Sequence, residues 1–373
     1  MPGADRPAPE PPPGAGRPDP AEVPSDWEAI SPRWMSAALQ RDHPGAEVRQ
    51  VSVLSRDDGT NRRGRLGLTY DRGTGPAVVF VKGEGAWRES HAANGNLFNE
   101  PELFASRIPL PVDHPHAYHV VMDHAGLDYL IVMEDLTRRG ADPRDATRPI
   151  RPSQVEDGVR RLAALHGAYW DLPASPPGLG WLQTWQATEG WRRSLGPGIP
   201  VGAARAVDLL PAGVAARSSD EILSLCMRAM AAFGSGRLTL LHADPHIGNT
   251  YLLPGGEVGF LDWQVCRRGS WAMDLAYFVV SALTVEDRRD AEESLLAAYR
   301  DALAVALPAG SVPGAGEVRT RFAAAHPYGL AVWLATHQSD RSQTPEVCRE
   351  LIIRFAAAFV DGSSEAALDR LTA

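Results

Sequence analysis

The stretch Leu240-Leu241-His242-Ala243-Asp244-Pro245-His246-Ile247-Gly248-Asn249 decides how the rest of the chain is read. An aspartate comes two residues after a histidine, and an asparagine comes five residues after that aspartate. Downstream, Thr250-Tyr251-Leu252-Leu253 and Glu257-Val258-Gly259-Phe260-Leu261 flank Pro254-Gly255-Gly256, the pattern of two short strands joined by a turn. A hairpin returns its end close to its start, so Asp262 is expected beside Asn249. One carboxylate able to take a proton and two hard oxygen ligands for a divalent cation would then share one place.

Such a set suits phosphoryl transfer from a nucleotide, where little covalent chemistry falls to the protein. The charge of the moving group must be neutralised and the acceptor oxygen placed in line. On this reading Asp244 takes the proton of an acceptor hydroxyl, while Asn249 and Asp262 hold Mg²⁺ on the phosphates of ATP. Upstream, residues 51–54 and 65–70 read as strands around a turn over residues 56–64. Backbone N–H groups of such a turn can cover phosphates, although the G-x-G-x-x-G pattern is absent. Residues 77–81 form a third strand running into Lys82, the only lysine of the chain. A compact ammonium reaches a phosphate as a point charge, which a planar guanidinium does not reproduce. Lys82 is therefore expected at the α- and β-phosphates.

That lysine needs a carboxylate, and Glu100 and Glu102 both qualify. Pro101 disfavours a helical conformation at Glu100, while Asn99 could cap a helix starting there, so local physics leaves the choice open. Residues 129–133 read as another buried strand, followed by Glu134-Asp135-Leu136. In a two-lobed arrangement, the backbone of Glu134 and Leu136 would meet the adenine.

Helical periodicity marks most of the remainder. Residues 27–39 read as a short helix with Ile30, Trp34 and Leu39 facing inward. Val155, Val159, Leu162, His166 and Tyr169 recur at helical spacing and predict a helix over residues 153–171, with Ser153 and Glu156 as a capping box. His166 reads as a packed core histidine. A second helix is expected over residues 219–233, and Trp181, Trp185 and Trp191 lie in the Gly/Pro-rich segment between. Asp274 opens a helical C-terminal region and is expected to brace the 242–249 loop.

Composition narrows the class. A chain of 373 residues can bury two cores. A net charge of −9 argues against a nucleic-acid partner, which would need a basic stripe. The longest apolar candidate, residues 275–283, is too short to span a membrane. Cys226, Cys266 and Cys348 give neither a disulfide framework nor metal-ligand spacing. Residues 1–26 are dominated by Pro, Gly, Ala and charge, lack an apolar export segment, and read as a disordered tail. A cytoplasmic protein, monomeric or weakly dimeric, is expected.

The motifs His242-Ala243-Asp244 through Asn249, Leu261-Asp262-Trp263-Gln264, Asp274-Leu275-Ala276-Tyr277-Phe278, Met133-Glu134-Asp135-Leu136 and Leu165-His166-Gly167-Ala168-Tyr169-Trp170 together resemble the aminoglycoside-phosphotransferase and choline-kinase-like superfamily. The chain is most similar to its ecdysteroid-kinase-like branch. The resemblance implies an α+β, two-lobed protein-kinase-like fold, with a small β-rich N-lobe over residues 27–136 and a larger helical C-lobe over residues 137–373. It favours Glu100 as the partner of Lys82, with Pro101 a departure from the pattern. Ala243 stands where protein kinases carry the arginine that reads a phosphorylated loop, so a small molecule is the expected acceptor. The implied activity is ATP- and Mg²⁺-dependent phosphorylation of a hydroxyl. An antibiotic-inactivating kinase of the aminoglycoside type and a silent nucleotide-binding protein are the alternatives.

Overall fold

The computed structural model describes residues 21–58, 61–341 and 343–372. The expected tail therefore lies outside the described residues, except for residues 21–26. These are tied to the body: the Pro24 and Ser25 carbonyls accept from Arg62 at 3.2 Å, and the Glu22 carbonyl accepts from the Trp34 indole at 3.2 Å. Contact with the folded body thus begins before Trp27, earlier than composition suggests.

The N-terminal region is an antiparallel sheet of β1 (Glu47–Asp58), β2 (Asn61–Arg72), β3 (Val78–Glu84), β4 (Ala117–Asp123) and β5 (Asp128–Glu134), in the order β1-β2-β3-β5-β4. Pairing of β1 with β2 continues to Asp58↔Arg62, so most of the expected 56–64 turn is strand. Across the extended pair Arg63 meets Asp57 at 2.7 Å. Alternation then sorts the side chains. Leu66, Leu68, Val79, Val81, Leu130 and Val132 point to one face and pack with Trp34, Met35 and Leu39 of α1 (Pro32–Leu39). Their neighbours Arg65, Phe80, Lys82 and Met133 turn to the other face and line a cleft. Lys82 lies within β3 rather than at its end. The helix α1 starts later than periodicity suggests because Pro32 occupies its first turn and Ser31 Oγ accepts from Trp34 N at 3.2 Å.

Two helices cross this region, α2 (Arg88–Ala93) and α3 (Asn99–Ser106). Pro101 sits in the first turn of α3, where a missing N–H goes unnoticed, so Glu100 is helical despite the proline after it. Phe98, not Asn99, occupies the N-cap position.

The C-terminal region is mainly helical: α4 (Pro152–Ala168), α5 (Glu189–Leu195), α6 (Gly198–Arg205), α7 (Ala212–Ala215), α8 (Ser219–Phe233), α9 (Ala272–Ala282), α10 (Val285–Ala306), α11 (Ala315–Thr336), α12 (Pro345–Asp361) and α13 (Ser364–Thr372). The cap of α4 differs from the expected Ser153–Glu156 pair. Pro152 shifts the start, the Gln154 side chain accepts from Arg151 N at 3.1 Å, and Glu156 instead pairs with Arg160 at 2.7 Å. Short strands thread between the helices: β6 (Asp142–Pro143), β7 (Leu238–Leu241), β8 (Thr250–Leu252), β9 (Val258–Phe260) and β10 (Arg267–Ser270). The expected hairpin is β8–β9, with Thr250 opposite Phe260. One large core joins these helices to Tyr129, Ile131 and Met133 of β5, so the sheet and the helical region pack as one. Among the described residues no helix is long and apolar enough to cross a membrane.

Candidate active site

The 242–249 loop leaves β7 and is clamped from beneath by Asp274. This carboxylate, fully buried in the first turn of α9, accepts from His242 N and Ala243 N at 2.8 Å each. His166 Nε2 lies 3.2 Å from the same group, and its Nδ1 is 2.7 Å from the Tyr299 hydroxyl. Asp274 thus acts on the loop backbone and His166 belongs to its buried support. The clamp holds Ala243 at φ +67°, a conformation that costs an L-residue about 1–2 kcal/mol. His242 Nδ1 accepts from Asp244 N at 3.2 Å and its Nε2 donates to the Leu261 carbonyl at 3.0 Å. The ring therefore links the loop to the residue before Asp262, and burial holds its pKa down.

The hairpin closes the distance from the other side. Leu261 N donates to the Asn249 carbonyl at 2.9 Å, so Asp262 returns beside Asn249. Asn249 Nδ2 donates to the Asp244 carbonyl at 2.9 Å and to Asp244 Oδ2 at 3.0 Å, which leaves its own side-chain oxygen turned away from Asp244. Burial, followed by the charge of Asp262, pushes the Asp244 pKa well above the ordinary carboxylate range. Asp262 adopts φ +64°, a left-handed conformation that aspartate tolerates better than most residues.

Lys82 reaches this group from the sheet. Its Nζ is 2.5 Å from Glu100 Oε2 and 2.7 Å from Asp262 Oδ1. Burial alone would weaken the ammonium, but Asp262 and Glu100 outweigh it and raise its pKa. Burial likewise raises Glu100, partly offset by Lys82, whereas Asp262 is held low by the same ammonium despite its burial. The choice between the glutamates is resolved here, since Glu102 instead lies 3.6 Å from His124. Glu100 Oε1 accepts from Trp263 N at 3.0 Å, and Asn99 Nδ2 donates to the Cys266 carbonyl at 3.2 Å. The start of α3 is thus bound to the segment following Asp262.

A cavity of about 210 Å³ opens above this cluster, between Phe80, Met133 and Leu261 on its apolar walls and Arg63, Arg65 and Lys82 on its basic side. Glu134 and Leu136 also line it. Asp135 pairs with Arg65 at 2.6 Å and caps the following turn through Thr137 N at 3.1 Å.

His246 escaped the sequence reading, although its place two residues after Asp244 was visible. Its Nδ1 accepts from Gly248 N at 3.0 Å, and its Nε2 lies 4.0 Å from Asp244 Oδ2. Burial lowers its pKa to about 4, so the ring is neutral near pH 7. Trp333 and Tyr277 meet it edge-on, with centroids 5.1 Å and 6.0 Å away. Trp333 comes from α11, far along the chain, and no local pattern announces it. Of the tryptophans in the 172–218 segment, Trp185 is buried in the core, and Trp191 stacks on it at 6.1 Å.

The chain belongs to the phosphotransferase enzyme family, whose model matches residues 68–310. Its fold is similar to that of a candidate aminoglycoside phosphotransferase from Ralstonia eutropha JMP134, at 14% identity over 88% of this chain and 97% of that one, with a TM-score of 0.54. Similarity extends to an ethanolamine kinase of Plasmodium vivax, at 11% identity over 92% and 90%, with a TM-score of 0.48. A spectinomycin phosphotransferase solved with ADP and spectinomycin aligns at 13% identity over 85% and 95%, with a TM-score of 0.49. No curated protein matches the chain.

Proposed function

We propose that the protein transfers the γ-phosphoryl group of ATP to a hydroxyl of a small molecule. The observation that carries this reading is the convergence of Lys82, Glu100 and Asp262, which line one cleft, with Asn249, which the hairpin brings beside Asp262, and Asp244, to which Asn249 is bonded. The apolar walls of the cleft suit a flat base and its basic side suits a polyphosphate. The backbone of Glu134 and Leu136 meets the adenine edge. Lys82, steadied by Glu100, presents its ammonium to the α- and β-phosphates.

The donor set fits Mg²⁺. Asn249 spends its amide nitrogen on Asp244, so a hard oxygen is left for a cation, and Asp262 contributes carboxylate oxygen. When bound, the ion neutralises charge on the nucleotide phosphates. Asp244 accepts the proton of the acceptor hydroxyl. The acceptor oxygen forms a bond to the γ-phosphorus, the β–γ bridging P–O bond breaks, and ADP departs with that electron pair. His246, its Nε2–H facing Asp244, donates a hydrogen bond to the same acceptor oxygen and orients it.

ADP release, measured over a mixed library of hydroxyl compounds, tests the reading. Asp244→Ala should lower turnover by about 10²–10⁴-fold while Mg·ATP still binds in calorimetry. Asp262→Ala should lose the metal-dependent part of nucleotide binding. Full turnover in Asp244→Ala would overturn the assignment.

A further inference from the structure

Arg267 opens β10 and is 5% exposed. Its guanidinium lies over the Trp185 ring, 5.7 Å from the centroid. Its terminal nitrogens donate to Gln183 Oε1 at 3.2 Å, to the Asn94 carbonyl at 3.1 Å and to Asn96 Oδ1. These acceptors are all neutral, and among the described residues the Nε of Arg267, like that of Arg288 and Arg354, has no hydrogen-bond partner. Two other arginines are buried as deeply among the described residues. Arg288 meets Glu292 and Asp361, and Arg354 has Glu350 at 3.4 Å. Of these three, Arg267 alone has no carboxylate of the described residues within ion-pairing distance. A guanidinium withdrawn from water without counter-charge is costly, and burial pulls its pKa down accordingly.

The same side chain lines a cavity of about 660 Å³, with Arg193, Gln183, Thr184, Thr188 and Trp191 among its walls. Among the described residues no carboxylate lines this cavity, and it shares no lining residue with the nucleotide cleft. We propose that it binds an anionic group, a phosphate or a carboxylate, whose charge is answered by Arg267 and Arg193 and which Trp191 covers. The anion supplies the counter-charge that the fold withholds from Arg267. It has two sources: a free anion, or an anionic group carried by the acceptor. The second source rests on the proposed function; the anion site itself does not.

Calorimetry and thermal denaturation of the full chain with inorganic phosphate and with malate, against sodium chloride of equal ionic strength, test the site. Lys82→Met serves as background, because it removes the ammonium proposed to hold the nucleotide phosphates; Arg63 and Arg65 remain in that cleft, so the arginine substitutions below assign the binding to this cavity. Either probe should bind this background and raise its Tm. Adding Arg267→Gln should weaken that binding at least tenfold, and the exposed Arg193→Gln should weaken it severalfold. If Arg267→Gln does not fold, Arg193→Gln decides. Failure of both probes to bind, or binding that ignores both arginine substitutions, overturns the proposal. A second arm separates the sources through ADP release with hydroxy acids and sugar phosphates. An acceptor-borne anion predicts a KM raised in Arg193→Gln with kcat kept, whereas a free anion predicts an unchanged KM beside weakened phosphate binding. Should the chain bind no ATP at all, the proposed function fails while the phosphate arm still reports on the cavity.

Discussion

At the scale of single residues, the backbone dictates the tautomer of His246. The Gly248 N–H needs a lone pair on Nδ1, so the ring proton of the neutral side chain lies on Nε2, facing Asp244. An oxygen at about 2.8 Å from each group would bridge the 4.0 Å between them, accepting from one and donating to the other. Two substitutions separate the structural bond from the one toward the acceptor. His246→Asn keeps an acceptor for Gly248 and loses the outward donor, whereas His246→Gln keeps an outward N–H and loses the inner bond. The expected result is a Tm near wild type but ADP release lowered about 5–13-fold in His246→Asn, since a lost hydrogen bond is worth about 1–1.5 kcal/mol. His246→Gln should show the opposite balance. The reverse ranking would make His246 a structural cap only. Sequence spacing marked Asp244 because its partners are close in the chain; His246 passed unnoticed because its meaning depends on Trp333 and Tyr277.

Among the elements, strands were legible from alternation and helices from their apolar faces, while their ends were not. The effect of Pro101 on Glu100 is open in the sequence because it depends on where the helix starts, and the start is set by Phe98 and the docking of Asn99 on Cys266. Close approach of helices is similarly invisible. At Gly202 of α6, an added Cβ would lie 1.8 Å from the Leu334 carbonyl of α11, next to Trp333. Backbone cannot give way as a flexible side chain can, so Gly202→Ala should destabilise the protein by about 1–3 kcal/mol despite the better helix propensity of alanine. Gly316, in the first turn of α11, has nothing within 4 Å of its would-be Cβ. Gly316→Ala should instead stabilise by about 0.4–1 kcal/mol. Thermal and urea denaturation of the two variants give the comparison, and equal effects would remove the packing argument.

For the whole molecule, the question is what kind of acceptor the C-terminal region admits. A polycationic compound needs a carboxylate for each ammonium it buries. Around Asp244 the fold places His246, Tyr277, Tyr328 and Trp333. In the 172–218 segment, Glu189 and Asp208 are more than half exposed, and Asp208 is engaged by Arg349 at 3.1 Å. A neutral or anionic hydroxyl compound is therefore the expected substrate. Kanamycin-like compounds should give kcat/KM below about 10⁴ M⁻¹s⁻¹, under the usual range for a good substrate. A value above that would promote the antibiotic-inactivating alternative.

What the sequence by itself determined is local in the chain. The 242–262 stretch brings its own polar side chains together, because a hairpin is a short loop whose closure follows from turn residues and alternation. Alternation likewise turns Lys82 to the cleft, and the family resemblance follows from motifs of the same short range. Tertiary structure decided the rest. Lys82 and Asp262 meet across 180 residues, and Glu100 prevails over Glu102 only because α3 docks against the segment after Asp262. The isolation of Arg267 from any carboxylate of the described residues is of the same kind. No local pattern encodes it, because it is a property of everything that packs around the side chain.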